Sequence, residues 1–299
     1  MTPYHLPALL SESIAGLNLK PDGIFVDVTF GGGGHSRAIL EHITTGKLIA
    51  FDQDSDAAVN ALEDERFTLL NQNFRYLKNN LRFLGISNID GLIADLGVSF
   101  HQFDENERGF SFRSDAELDM RMNRQAPVKA SDILRTYDDE QLAGIFYRYG
   151  ELTNSRKLAA AIIKARTTKS IITTADLTAA LEGLVPPREV NKFYAKLFQS
   201  LRIEVNHELD ALTEMLTQAL QVLKTGGRIA VITYHSLEDR LVKNFFRTGN
   251  FEGESEKDFY GNVTAPLIAV NRKVIVPSEE EIAENSRARS ARLRIAEKI

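Results

Sequence analysis

The chain has 299 residues, 43% of them hydrophobic and 26% charged, a globular mixture with enough apolar content for a core. The absence of cysteine excludes a disulfide framework, a thiolate nucleophile and a Cys-based metal site. A net charge of −5 argues against indiscriminate polyanion binding and leaves room for a local basic surface. The first ten residues lack a basic segment and a long apolar run, and no stretch approaches a membrane span. The chain therefore reads as soluble and cytoplasmic, with no membrane partner.

Residues 6–19 place apolar side chains at helical spacing, and residues 24–29 form a strand. The run Gly31–Gly34 then strips side chains from the point where a strand hands over to a helix at 36–42, bringing backbone N–H groups and a helix N-terminus close to a ligand. Strands follow at 47–52, 67–72 and 89–95. Helices lie between them, one capped by Asp54 or Ser55 and running to Leu62, the next over 76–84. Such alternation predicts right-handed βαβ units and a parallel sheet. The rhythm stops at 101–123, which is polar, aromatic and aperiodic. Helical segments follow at 138–149, 154–167, 174–184 and 191–223, with Thr174 as an N-cap. The sheet pattern returns at 228–234, followed by a helix to Phe246, and 265–276 with 291–296 reads as an antiparallel pair. In the last strand, Leu293 and Ile295 alternate with Arg292 and Arg294. The domain reading is a discontinuous α/β domain, 1–104 and 207–299, with a mostly helical insertion at 105–206.

Ligands of open α/β sheets sit outside the carboxyl ends of the strands. Those ends carry Asp27 with the glycine run, Asp52, Asn73 with Phe74, Asp95, and His235 with Ser236. Asp52 lies where a carboxylate can accept both hydroxyls of an adenosine ribose. Phe74 can lie against adenine, and Asp95 can accept from an amino group of the cofactor or of the group being transformed. A dehydrogenase fingerprint G-x-G-x-x-G/A would place its third small residue where Ser36 stands. Four glycines with no bulky diphosphate to accommodate favour S-adenosylmethionine, with a nicotinamide dehydrogenase as the alternative enzyme and a non-catalytic RNA-binding protein as the alternative class.

The motif blocks resemble those of the bacterial 16S rRNA (cytosine-N4)-methyltransferases of the MraW/RsmH type. They include His5-Leu6-Pro7-Ala8-Leu9-Leu10, Asp27-Val28-Thr29-Phe30 with the glycine run and His35-Ser36, Phe51-Asp52-Gln53-Asp54, and Asp95-Leu96-Gly97-Val98-Ser99. Arg108-Gly109-Phe110-Ser111-Phe112, Leu118-Asp119-Met120-Arg121-Met122, Phe198-Gln199-Ser200-Leu201-Arg202-Ile203, His235-Ser236-Leu237-Glu238-Asp239-Arg240 and Arg287-Ala288-Arg289-Ser290 continue the series. Phe100, Asn123, 191–196 and Thr233-Tyr234 depart from the family pattern. The resemblance implies a class I S-adenosylmethionine-dependent (Rossmann-like) sheet interrupted by a helical substrate-recognition domain. It implies cofactor contacts at Gly33, Gly34, His35, Asp52, Phe74, Asp95 and Gln102. The implied product is N4-methylated cytidine in the decoding region of 16S rRNA, with the rRNA presented within the small ribosomal subunit to a monomer or homodimer.

Asp95 and His235 are the candidate proton acceptors for such a reaction, which requires no metal. Arg113, Arg121, Arg124, Arg156, Lys157, Lys164, Arg166 and Lys169 interleave with Phe110, Phe112, Tyr147 and Tyr149 as a candidate RNA surface. The denser run Arg287, Arg289, Arg292 and Arg294 is the strongest candidate for phosphate contact.

Overall fold

A computed structural model describes residues 7–99, 106–255, 259–260, 264–271 and 273–299. The chain folds as two compact units, one of Met1–Gly97 with Leu209–Ile299 and the other of Val98–Glu208.

The first unit is built on strands β1 (Ile24–Asp27), β2 (Lys47–Phe51), β3 (Phe67–Leu70), β4 (Ile89–Asp95), β5 (Leu223–Thr233), β6 (Leu267–Ala269) and β7 (Arg292–Lys298). They form one sheet in the order β3-β2-β1-β4-β5-β7-β6. The five strands from β3 to β5 are parallel, and β7 runs antiparallel to both β5 and β6. The order reverses between β1 and β4, so a crevice opens at their carboxyl ends. Period-two alternation divides the strand side chains between two apolar layers. Val26, Ile49, Leu92 and Ile229 face a core with helices α3 (Leu77–Phe83), α9 (Glu208–Val222) and α10 (Ser236–Thr248). Phe25, Leu48, Ile93 and Ala230 face the opposite core with α1 (Leu10–Leu17) and α2 (Gly34–His42).

The second unit packs α4 (Ala130–Thr136), α5 (Asp139–Arg148), α6 (Ser155–Arg166), α7 (Thr174–Ala180) and α8 (Val190–Asn206) around a core that includes Phe146, Leu158, Leu177 and Leu201. Val98 packs against that core, so the unit begins before residue 105.

Local chemistry corrects several boundaries. Thr173, not Thr174, caps α7: its side chain accepts from Asp176 N–H, while Thr174 Oγ1 donates to the Ser114 carbonyl at 2.7 Å. The segment 191–223 is two helices, because His207 takes a left-handed φ of 50° that closes α8. Residues 55–60 form a 3₁₀ turn rather than an α-helix, capped by the Asp54 carboxylate. Among the described residues of 265–276 only Leu267–Ala269 is strand, with Ile275 adding an isolated bridge to Leu293. A short acidic helix α11 (Glu279–Glu284) precedes the final strand.

Leu92 is fully buried in the strand at the centre of the sheet. We expect Leu92→Ala to lower unfolding stability by about 2–5 kcal/mol, measured from the urea midpoint; an unchanged midpoint would contradict this packing.

Candidate active site

The end of β1 sets the site. Asp27 is buried and accepts from Thr29 N–H at 3.0 Å and from the Ser36 hydroxyl at 2.7 Å. The Thr29 hydroxyl in turn accepts the Asp95 N–H at 2.6 Å, tying the ends of β1 and β4 across the reversal point. Beyond Thr29 the chain turns through Gly31 (φ 49°) and Gly33 (φ 76°), a left-handed conformation suited to glycine. A Cβ on Gly33 would come within 2.9 Å of the Phe30 ring, and one on Gly34 within 2.7 Å of Pro7. Gly33 is the N-cap of α2 without a side-chain cap, so the first N–H groups of that helix carry no side-chain acceptor there.

Asp52 follows β2. Its Oδ2 accepts the Gly31 N–H and its Oδ1 the Asp54 N–H, both at 2.8 Å, which fixes the carboxylate beside the glycine turn. Phe74 opens a 3₁₀ turn after β3, half-buried against the sheet, behind an Asn73 side chain that accepts from Arg75 N–H. Asp95 ends β4 and receives the Tyr234 hydroxyl on Oδ1 at 2.8 Å.

Burial pushes Asp27 and Asp52 up to about 6 and Asp95 up to about 7. Mutual repulsion adds to the shift on Asp52 and Asp95, and hydrogen bonds are what hold all three carboxyls down. No cation among the described residues contributes to any of these shifts. A ligand carrying positive charge would therefore find unneutralised acceptors here. His35 is buried at the start of α2, hydrogen-bonded to the Ala8 backbone, and burial lowers it to about 4. Its Nε2 has no partner among the described residues, an orphaned buried nitrogen at a helix N-terminus.

The glycine turn, His35, Asp52, Phe74 and Asp95 thus all lie in the first unit, while Gln102 lies outside the described residues. His235 is placed differently from a free base. Its Nδ1 accepts the Glu238 N–H at 3.4 Å as the cap of α10, and its Nε2 lies 3.2 Å from Glu238 Oε1. The Nδ1 thus caps the helix, while the buried Nε2 makes no hydrogen bond among the described residues. Sequence reasoning names Asp27 at its strand end without a role, and does not single out Thr29, Ser36 or Tyr234 as site members. Position at a strand end was the available signal for Asp27 and Tyr234; nothing in the sequence pairs their partners.

The basic candidates divide by what they meet. Arg121 forms a two-bonded pair with Asp119 (2.7 Å each) and donates to the Ala126 carbonyl. Arg166 donates to the Leu134 and Tyr137 carbonyls, Lys169 pairs with Asp176, and Arg294 pairs with Asp239 at 2.8 and 3.1 Å. Arg292 is exposed and lies 3.5 Å from the same Asp239. Arg113, Arg124, Arg156, Lys157, Lys164, Arg287 and Arg289 are exposed. No helix among the described residues is long and apolar enough to cross a membrane.

Comparison with known proteins decides the family. The MraW methylase family matches residues 2–299. The chain belongs to the MraW methylase family. It is 57% identical over 296 residues to a Phocaeicola vulgatus protein named ribosomal RNA small subunit methyltransferase H, covering 99% of this chain and 97% of that one. A relative of the same name from Flavobacterium johnsoniae is 56% identical over 297 residues, covering 99% and 98%. Membership of a methylase family removes the nicotinamide dehydrogenase alternative.

The carboxyl cluster makes stability depend on pH. A carboxyl whose folded value is raised holds its proton longer than in the unfolded chain, so its contribution is lost as pH rises through about 6 to 7. His35, lowered to about 4, works in the opposite direction and is largely exhausted above its unfolded value of 6.5. The ligand-free protein is expected to lose melting temperature between pH 6 and pH 8, and Asp95→Asn to flatten that slope. A calorimetric melting temperature that rises over this interval would contradict the assignment.

Proposed function

We propose that the protein transfers a methyl group from S-adenosylmethionine to the exocyclic N4 of a cytidine in the decoding region of 16S rRNA, presented within the small ribosomal subunit. The observation that carries this is the group of three carboxyls around the glycine turn that no cation among the described residues neutralises. Membership of a methylase family and the names of the relatives support it. S-adenosylmethionine is net positive, and when bound it supplies a sulfonium-activated methyl group.

Gly33, Gly34 and His35 would hold its amino-acid tail, using the backbone of the turn and the partnerless His35 nitrogen. Asp52 would take the ribose hydroxyls on the lone pairs left over by Gly31 and Asp54. Phe74 would lie against adenine, and Gln102 would complete the site.

The amine of cytosine is a poor nucleophile because its lone pair is delocalised into the ring. Asp95 would accept one amine proton, localising that lone pair, and would take the proton as the N–C bond forms. With a value of about 7 it is substantially ionised at neutral pH and able to do so. Positioning supplies the rest, roughly 7–11 kcal/mol in favourable cases. The base must leave its stack to reach Asp95, which favours a loop or single-stranded cytidine. The Val98–Glu208 unit and the tail would present the RNA, with Arg113, Arg287, Arg289 and Arg292 as phosphate contacts. Arg121 and Arg294, engaged internally, would support that surface through their pairs.

Incubation with labelled S-adenosylmethionine and undermethylated small subunits, followed by nucleoside mass spectrometry, is expected to yield N4-methylcytidine; label on another nucleoside would overturn the base assignment. Asp52→Ala is expected to weaken S-adenosylmethionine binding by more than tenfold, about 1.4 kcal/mol. Unchanged affinity by calorimetry would remove the ribose role.

A further inference from the structure

Tyr234 links β5 to the cap of α10 and to Asp95. Its backbone N–H donates to Glu238 Oε2 at 2.9 Å, and Glu238 is buried in the capping box with His235. At the other end its hydroxyl donates to Asp95 Oδ1 at 2.8 Å. The ring passes the left-handed Gly97 (φ 100°), where a Cβ would sit 3.6 Å from it. The phenol is thus held by its backbone to one element and by its hydroxyl to the end of another. Burial and the neighbouring carboxyls raise its titration far above the physiological range, so it is a permanent donor. Asp95 Oδ2 takes no hydrogen bond from the described residues.

We propose that Tyr234 is a positioning residue for methyl transfer: its hydroxyl pins Asp95 Oδ1 and so presents Oδ2 as the acceptor for the target amine proton. This deepens the proposed function and rests on the reading of Asp95 as that acceptor.

The surroundings give the bond a measurable consequence. Asp95 faces Asp27 from β1 and Glu238 from α10, and Tyr234 faces Asp95, Glu238 and Glu281 from α11. The carboxylates facing Asp95 favour its protonated form, whereas the Tyr234 hydroxyl favours the carboxylate. Removing the hydroxyl must therefore raise the pH at which Asp95 ionises as well as loosen its orientation.

The test compares pH profiles of single-turnover methyl transfer for the parent protein, Tyr234→Phe and Asp95→Asn. We expect the acid limb of Tyr234→Phe to move up by about one pH unit. The rate deficit should be about fivefold at pH 7 and should narrow at higher pH. Carbon-13 carboxyl NMR of Asp95 in the ligand-free protein should show the same upward shift without any turnover. A proportional loss at every pH with an unmoved acid limb and an unmoved carboxyl titration would overturn the proposal and leave Tyr234 a packing residue. Retained activity in Asp95→Asn would instead overturn the acceptor role beneath it. The two failures are distinguishable.

Discussion

The constraint on which the site depends is the burial of negative charge at the carboxyl edge of the sheet. An ionised carboxylate taken out of water is costly unless donors surround it. Asp27, Asp52 and Asp95 meet that cost in the same way, with short hydrogen bonds from neutral donors. Thr29 and Ser36 serve Asp27, Gly31 and Asp54 serve Asp52, and Tyr234 serves Asp95. All these donors but Ser36, which lies in the first turn of α2, come from the segment following a strand, so satisfying the carboxyls also fixes those segments. Thr29 does both at once, donating its N–H to Asp27 and accepting the Asp95 N–H. The remaining cost appears as proton affinity, with Asp27 and Asp52 raised to about 6 and Asp95 to about 7. A positive charge placed among these carboxyls would relieve that cost.

The glycine turn follows from this constraint. For Gly31 N–H to reach Asp52, the backbone must adopt a left-handed φ immediately after the strand. Gly33 must then let the Phe30 ring approach to a distance no Cβ would allow, and Phe30 itself packs on Phe67 at 5.4 Å between centroids. Without side chains in the turn, the N-terminus of α2 is open. His35 closes the same helix end from inside, buried and neutral, with its Nε2 unpartnered among the described residues.

What was legible in the sequence followed from periodicity. The strand read at 89–95 is Ile89–Asp95 because its residues are apolar through the centre of a parallel sheet. The alternation of the last strand correctly put Leu293 and Ile295 inward. The stretch 101–123 carried no period, and its described part shows why. Arg108 donates to the Arg121 and Met122 carbonyls, and Asn206 brackets Met120 and Met122 with its side-chain amide. Gly109 lets its backbone approach Glu117, whose carbonyl would lie 2.1 Å from a Cβ there. Contacts between side chain and distant backbone leave no repeat to detect. The same blindness hid Tyr234: its place at a strand end was visible, its partner was not.

The basic tail shows the same limit in another form. Alternation shows that Arg292 and Arg294 point away from the core, but not what they meet. Both lie against Asp239, the residue after Glu238 on α10. Successive residues of a helix point roughly 100° apart. One turn of α10 therefore carries a carboxylate toward Tyr234 and His235 and another toward the final strand. The strand that closes the sheet is thereby fastened to the helix whose cap holds the residue on Asp95. Arg287 and Arg289 lie on the exposed turn just before that strand. Within one basic run, then, the later arginines hold the final strand to the helix whose cap contacts Tyr234, and so maintain the geometry of the site.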